Sequence, residues 1–162
     1  MICDFNALHL QPELKRAIDA LGYTQMTPIQ QKVLRYTLAG HDAIGRAQTG
    51  TGKTAAFLIT VINDLLKNPI QGERFRGEPR ALILAPTREL ALQIESDAKH
   101  LTQFAQLNVL TLLGGVEFEK ELTALDKNVV DIIVATPGRL IDLVEQKEVW
   151  LDRIEFLVID EA

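Results

Sequence analysis

Apolar residues recur along the chain in two rhythms. Short runs rich in Val, Ile, Leu or Ala occupy residues 42–45, 80–85, 109–113, 131–135 and 156–159, and most of them exit into Gly, Pro or Thr. Before and between them lie longer stretches in which apolar positions return every three or four residues: 12–21, 28–39, 53–66, 88–101, 118–125 and 137–146. The first rhythm predicts buried strands, the second helices with one apolar stripe. Several helical stretches open with a Thr cap or with Pro in the first turn, where its missing N–H is not needed. Strands alternating with helices predict an α/β fold: a mostly parallel sheet with helices on both faces. In such sheets ligands bind at the carboxyl ends of the strands, where the small and polar exit residues collect. Residues 67–79, with Asn, Pro, Gly and alternating charges, read as a surface loop and not as a domain boundary.

Composition narrows the class. With 162 residues, 47% apolar and 24% charged, the chain has the size of one domain with a real core. Residues 1–10 lack a basic start followed by an apolar stretch, and no window approaches eighteen uninterrupted apolar residues, so neither export nor a membrane partner is expected. The single cysteine, Cys3, cannot pair within the chain, which fits the reducing cytoplasm. A net charge of −5 argues against holding nucleic acid by bulk attraction, so any such contact is expected to be local.

The strongest chemical signal is Ala47-Gln48-Thr49-Gly50-Thr51-Gly52-Lys53-Thr54, which follows the apolar run 42–45 and opens the helical stretch 53–66. A P-loop needs that context. Gly50 and Gly52 let the backbone turn its N–H groups onto phosphate oxygens, Lys53 reaches the β and γ phosphates, and the Thr54 hydroxyl can ligate Mg²⁺. The general pattern asks for glycine where this chain has Ala47, so the match is to a variant; the competing reading is a Gly-rich turn before an ordinary helix. The last apolar run, Phe156–Ile159, leads into Asp160 and Glu161. Two acids after an apolar strand are often only a solvated turn. Paired with a P-loop they form a Walker B arrangement, with Asp160 holding Mg²⁺ and Glu161 orienting or deprotonating the attacking water.

Taken with the P-loop, the runs APTREL at residues 85–90, Gly114-Gly115, TPGR at 136–139 and the terminal DEA resemble DEAD-box ATP-dependent RNA helicases in wording, order and spacing, over the whole chain. The resemblance implies a RecA-like P-loop NTPase domain that binds ATP and Mg²⁺. It divides the chain into residues 1–31, similar to the family's adenine-reading Q motif, and residues 32–162, the first of two RecA-like helicase domains. It makes Tyr23, Thr27, Gln30 and residues 47–54 nucleotide-binding, Lys53, Asp160 and Glu161 catalytic, and Thr54 and Asp160 metal-holding. Pro86, Thr87, Arg88, Gly114, Gly115, Thr136, Pro137, Gly138 and Arg139 would contact the RNA sugar-phosphate chain.

Some of these residues have plainer readings. Thr27-Pro28-Ile29-Gln30 is also a capping box, in which Gln30 reaches back to its own helix start; a glutamine amide can equally accept from N6 of adenine and donate to N7. Phe5 and Tyr23 could flank a base or simply belong to a core. Arg88 and Arg139 lie in first turns of helices, where the dipole disfavours a cation, so a bound phosphate would relieve a conflict; otherwise Arg88 pairs with an acid such as Glu89 and Arg139 is a solvated charge. Gly114-Gly115 permits a close backbone approach or is a plain turn.

The resemblance also implies partners: RNA, the second RecA-like domain with its arginine finger, and RNA-degradation machinery, because the run 77–82 joined to APTREL looks like bacterial RhlB- or RhlE-type members. A SAT-type strand, which in the family lies between the P-loop and Walker B strands, is absent from these residues. Without it, buried backbone groups would go unpaired at about 1–3 kcal/mol each, against a net stability of about 5–15 kcal/mol. The expectation is a fragment truncated before that strand, negligibly hydrolytic alone, with helicase activity belonging to a parent chain. The alternatives are a non-hydrolysing ATP- or RNA-binding module and a different P-loop enzyme, such as a small-molecule kinase or a DNA-directed motor.

Overall fold

The computed structural model describes residues 3–161, so the final alanine of DEA lies outside the described residues. In chain order the elements are a 3-10 turn at Phe5–Ala7, α1 (Pro12–Ala20), α2 (Pro28–Thr37), α3 (Lys53–Lys67), β1 (Ala81–Leu84), α4 (Arg88–Leu101), β2 (Val109–Leu112), α5 (Phe118–Lys127), β3 (Ile132–Ala135), α6 (Pro137–Glu145) and β4 (Phe156–Ile159). The α/β alternation is as expected: four strands form one all-parallel sheet in the order β2-β3-β1-β4, flanked by helices.

The chain divides into two compact units, residues 1–69 with 97–105 and residues 70–96 with 106–162. The first break, between 69 and 70, falls inside the 67–79 segment, in which residues 68–79 carry no helix or strand.

In the first unit α3 is the central helix, with residues buried on every side from Ala56 to Leu65. It packs on α1 and α2, and Leu14, Ile18, Leu34, Leu58, Ile59, Ile62 and Leu65 are almost wholly shielded from solvent. Two polar ties fix the packing. Asn63 Oδ1 accepts the Gln11 N–H at 2.8 Å, and the Thr37 and Thr60 hydroxyls share a hydrogen bond at 2.7 Å. The Arg16 guanidinium sits 4.0 Å from the centre of the Phe104 ring.

In the second unit the apolar stripes of α5 and α6 (Leu125, Leu140, Leu143) bury Leu82, Leu112, Ile133 and Ala135 on one face of the sheet. On the other face Ala81, Ile83, Ile132 and Val134 are equally shielded, so the inner strands are covered on both sides, as continuous apolar strands require. Leu157 and Ile159 pair in register with Leu82 and Leu84, which puts them on the α5–α6 face, yet each is 57% exposed. Among the described residues β4 has a partner on one side only.

One predicted strand did not form. Residues 42–45 have no regular secondary structure, lie outside the sheet and are all exposed, with Ile44 at 92%. An apolar run becomes a strand only when a neighbour satisfies its backbone N–H and C=O groups, and no described strand pairs with this one.

Candidate functional site

Residues 47–54, the candidate phosphate loop, lie in the first unit. Gly50 and Gly52 adopt left-handed conformations, with φ of +81° and +91°, which bends the loop into the start of α3. Gly52 is the N-cap of that helix and no side chain caps it, leaving the N–H donors of Lys53, Thr54 and Ala55 to an outside acceptor. The two glycines differ. A Cβ at Gly50 would meet nothing within 4 Å, whereas one at Gly52 would lie 2.4 Å from Gln30 Nε2 and 3.1 Å from Thr27 Oγ1. Ala47 is partly buried, Gln48 and Thr49 are exposed, and the Gln48 carbonyl accepts the Thr51 hydroxyl.

The contact between loop and capping box follows from the sequence of α2. Thr27 and Gln30 complete a reciprocal box: Gln30 Oε1 accepts the Thr27 N–H at 2.9 Å and Thr27 Oγ1 accepts the Gln30 N–H at 3.5 Å. Both side chains then reach the 47–54 loop. The Thr27 hydroxyl donates to the Thr51 carbonyl at 2.7 Å and Gln30 Nε2 donates to the Gly52 carbonyl at 3.2 Å. The capping reading is therefore realised, and the same two residues hold the loop. Tyr23 is 39% exposed and stacks at 6.1 Å on Phe5, which is buried, so Phe5 is a core residue.

The remaining candidates lie in the second unit, at the carboxyl ends of its strands. After β1, Pro86, Thr87 and Arg88 are exposed, and Thr87 Oγ1 accepts the Leu90 N–H at 3.2 Å. Arg88 has no ion-pair partner among the described residues, Glu89 included. Its Nη1 lies 3.3 Å from where a Cβ on Gly115 would stand, and Gly115 has φ +83°. After β2, the Gly114 N–H donates to Thr136 Oγ1 at 3.3 Å, so the Gly-Gly turn and the cap of α6 meet. Pro137 and Gly138, the first two residues of α6, are exposed.

Arg139 differs from the sequence expectation that, if not on phosphate, it would be a solvated charge. Its side chain is 12% exposed and ion-paired with Glu121, 6% exposed; it also donates to the Val116 carbonyl at 2.9 Å. After β4, Asp160 Oδ1 accepts the Glu161 N–H at 3.0 Å, and Glu161 has a left-handed φ of +54°. Lys53 and Thr54 belong to the first unit, Asp160 and Glu161 to the second.

Sequence reasoning missed two buried acids, Glu121 and Asp131. Glu121 had a signal: it stands three residues after Phe118 and four before Leu125, on the apolar stripe of α5. On α4, burial raises the Asp97 carboxyl above the ordinary carboxylate range, with His100 opposing. A surface depression lined by Phe75, Arg76, Glu78, Lys147, Glu148 and Trp150 contains none of the residues to which the motifs assign chemistry. Among the described residues no group of three or more His, Cys, Asp or Glu could hold a metal, and no helix is long and apolar enough to cross a membrane.

The motif residues thus sit at the loop that opens α3 and at the strand exits. The sequence model of DEAD/DEAH box helicases matches residues 27–162. The chain belongs to this family. Its relatives include proteins named ATP-dependent RNA helicase RhlB from Pseudomonas aeruginosa, 56% identical over 158 residues, from Xanthomonas oryzae, 48% identical over 159, and from Pectobacterium atrosepticum, 46% identical over 158. Each alignment covers 98% of this chain, and the chain spans 40%, 28% and 36% of those relatives respectively. The RhlB-type resemblance is thereby supported.

Proposed function

We propose that these residues are the nucleotide-binding part of an ATP-dependent RNA helicase, in which ATP binding and hydrolysis drive RNA clamping and local strand separation. The observation that carries this reading is the phosphate loop itself: two left-handed glycines, an uncapped α3, and Thr27 and Gln30 bonded to the Thr51 and Gly52 carbonyls. Residues 1–31 form the adenine-reading segment and residues 32–162 the first RecA-like domain, a second completing the enzyme. The cytoplasm is the proposed setting, with RNA-degradation machinery a candidate partner.

Each residue then has a role. Residues 47–54 wrap the phosphates, with Lys53 neutralising charge on the β and γ groups. Gln30 uses one acceptor and one donor of its amide inside the chain; the other acceptor and donor match an adenine edge, beside the Tyr23 ring. Glu161 orients or deprotonates water. Mg²⁺ is held by few protein oxygens and keeps several waters; Thr54 and Asp160 are the residues that would supply oxygens, and the ion, when bound, would neutralise charge on the phosphates. RNA lies over the starts of α4 and α6 and the Gly114-Gly115 turn, contacted by Pro86, Thr87, Arg88, Thr136, Pro137, Gly138 and the Arg139 segment. This small backbone-directed set suits an acidic chain and selects RNA through its 2′-hydroxyls.

The test is ATP turnover by the full-length protein with and without nucleic acid. Single-stranded RNA is expected to stimulate it and Lys53→Ala to remove at least about 99% of the rate, because a lost phosphate-charge contact is worth about a hundredfold or more. Stimulation by DNA but not RNA would overturn the reading. Arg88→Gln is expected to weaken RNA binding and lower the slope of log affinity against log salt by about 1, the signature of one lost phosphate contact.

A further inference from the structure

Glu121 is a buried acid to which the proposed function gives no part. Its carboxylate receives two donors from separate stretches of chain: Oε1 accepts the Leu113 N–H at 2.6 Å and Oε2 accepts Arg139. Arg139 passes the link on, donating to the Val116 carbonyl at 2.9 Å with its guanidinium 5.6 Å from the Phe118 ring centre. With Gly114 N–H on Thr136 Oγ1 at 3.3 Å, three of the four residues of the 113–116 turn are tied down. The untied one is Gly115, at φ +83°, exposed, beside Arg88. Its N–H has no acceptor among the described residues.

We infer that Glu121, acting through Arg139, is a positioning residue for RNA-backbone binding: the pair fixes the 113–116 turn so that the Gly115 N–H and the α6 start face one phosphodiester path. The inference rests on the RNA path proposed above. The pair is net neutral and largely buried, so it adds little attraction for phosphate; what it supplies is geometry. A donor aimed at an anion binds it well only if it need not be ordered on binding, and glycine at two consecutive positions leaves this turn otherwise loose. Arg139 is thereby committed to Glu121 and Val116, and Arg88 carries the direct charge contact.

The experiment uses the full-length protein, a fluorescein-labelled twelve-nucleotide oligouridylate and a non-hydrolysable ATP analogue, with affinity measured at several salt concentrations. Glu121→Ala is expected to weaken RNA binding about tenfold or more, and Glu121→Gln, which keeps one of the two acceptor contacts, about threefold. Nucleotide affinity should stay within about twofold, and the salt slope should not change in either variant or in Arg139→Gln, since none removes a phosphate contact. A purely structural role would weaken nucleotide and RNA binding together, and that result overturns the proposal. So does a slope lowered by about 1 in Arg139→Gln, which would place that guanidinium on phosphate. If Glu121→Ala does not fold, Glu121→Gln decides alone. Wild-type RNA affinity in the Glu121 variants alongside a weakened Arg88→Gln refutes the positioning role and leaves the RNA path standing; no RNA binding by the wild type refutes both.

Discussion

Gly52→Ala is expected to weaken nucleotide binding at least about thirtyfold, whereas Gly50→Ala should weaken it only about tenfold. Both residues are left-handed, and a side chain in that region costs about 1–2 kcal/mol, near a factor of ten. Only at Gly52 does the new Cβ also collide, 2.4 Å from Gln30 Nε2 and 3.0 Å from its Cδ. Gln30 is 5% exposed and pinned by the Thr27 N–H, so it cannot swing clear without breaking the capping box, a further loss of about 1 kcal/mol. Titration with a fluorescent adenine nucleotide measures the difference. The double variant Gln30→Ala/Gly52→Ala isolates the cause: with Gln30 truncated the two shortest contacts are gone and only Thr27 Oγ1 at 3.1 Å remains, so the two changes should combine less than additively. Strict additivity would mean that the capping residues do not hold the loop.

That contact shows how much of the site was legible in the sequence. Thr27-Pro28-Ile29-Gln30 is a local signal and the box formed as written, with six helices and four of five strands placed within a few residues. The adjacency of the box and the 47–54 loop, 22 residues apart for Gln30 and Gly52, comes from α2 packing on α3 and has no local signature. The failed strand at 42–45 has the same origin. Apolar content announces that a segment wants burial, but strand formation depends on a partner edge that is itself distant in sequence.

The buried acids were legible in part. On α5 the period 118, 121, 122, 125 places Glu121 among apolar positions, a conflict that only a partner resolves; which partner could not be read, because Arg139 is 18 residues away on another helix. Asp131 opens a strand of four buried apolar residues, and charged residues at strand starts are commonplace on surfaces. Its ties, to Arg74 and Asn108, depend wholly on chain crossing.

Asp131→Ala is expected to lower the unfolding free energy by about 3 kcal/mol, the lower end of the range for breaking a buried ion pair. Asp131 is 4% exposed and serves three stretches of chain. Oδ1 accepts Arg74 Nη1 at 2.5 Å and Oδ2 accepts the Asn108 N–H at 2.7 Å, while its own carbonyl accepts the Arg80 and Ala81 N–H groups at the start of β1. Truncation strands the Arg74 guanidinium, whose bond to the Val130 carbonyl remains, and orphans the Asn108 N–H. Arg74 is 19% exposed and can recover some hydration, which is why the lower end applies. Asp131→Asn keeps an acceptor for Asn108 and should cost about 1–2 kcal/mol. Asp126 is the control. It pairs with Arg76, but the two side chains are 58% and 49% exposed, so Asp126→Ala should change stability by less than about 0.5 kcal/mol. Urea midpoints at unchanged slope rank the three variants. Equal losses at positions 126 and 131 would show that burial does not set the strength of these pairs.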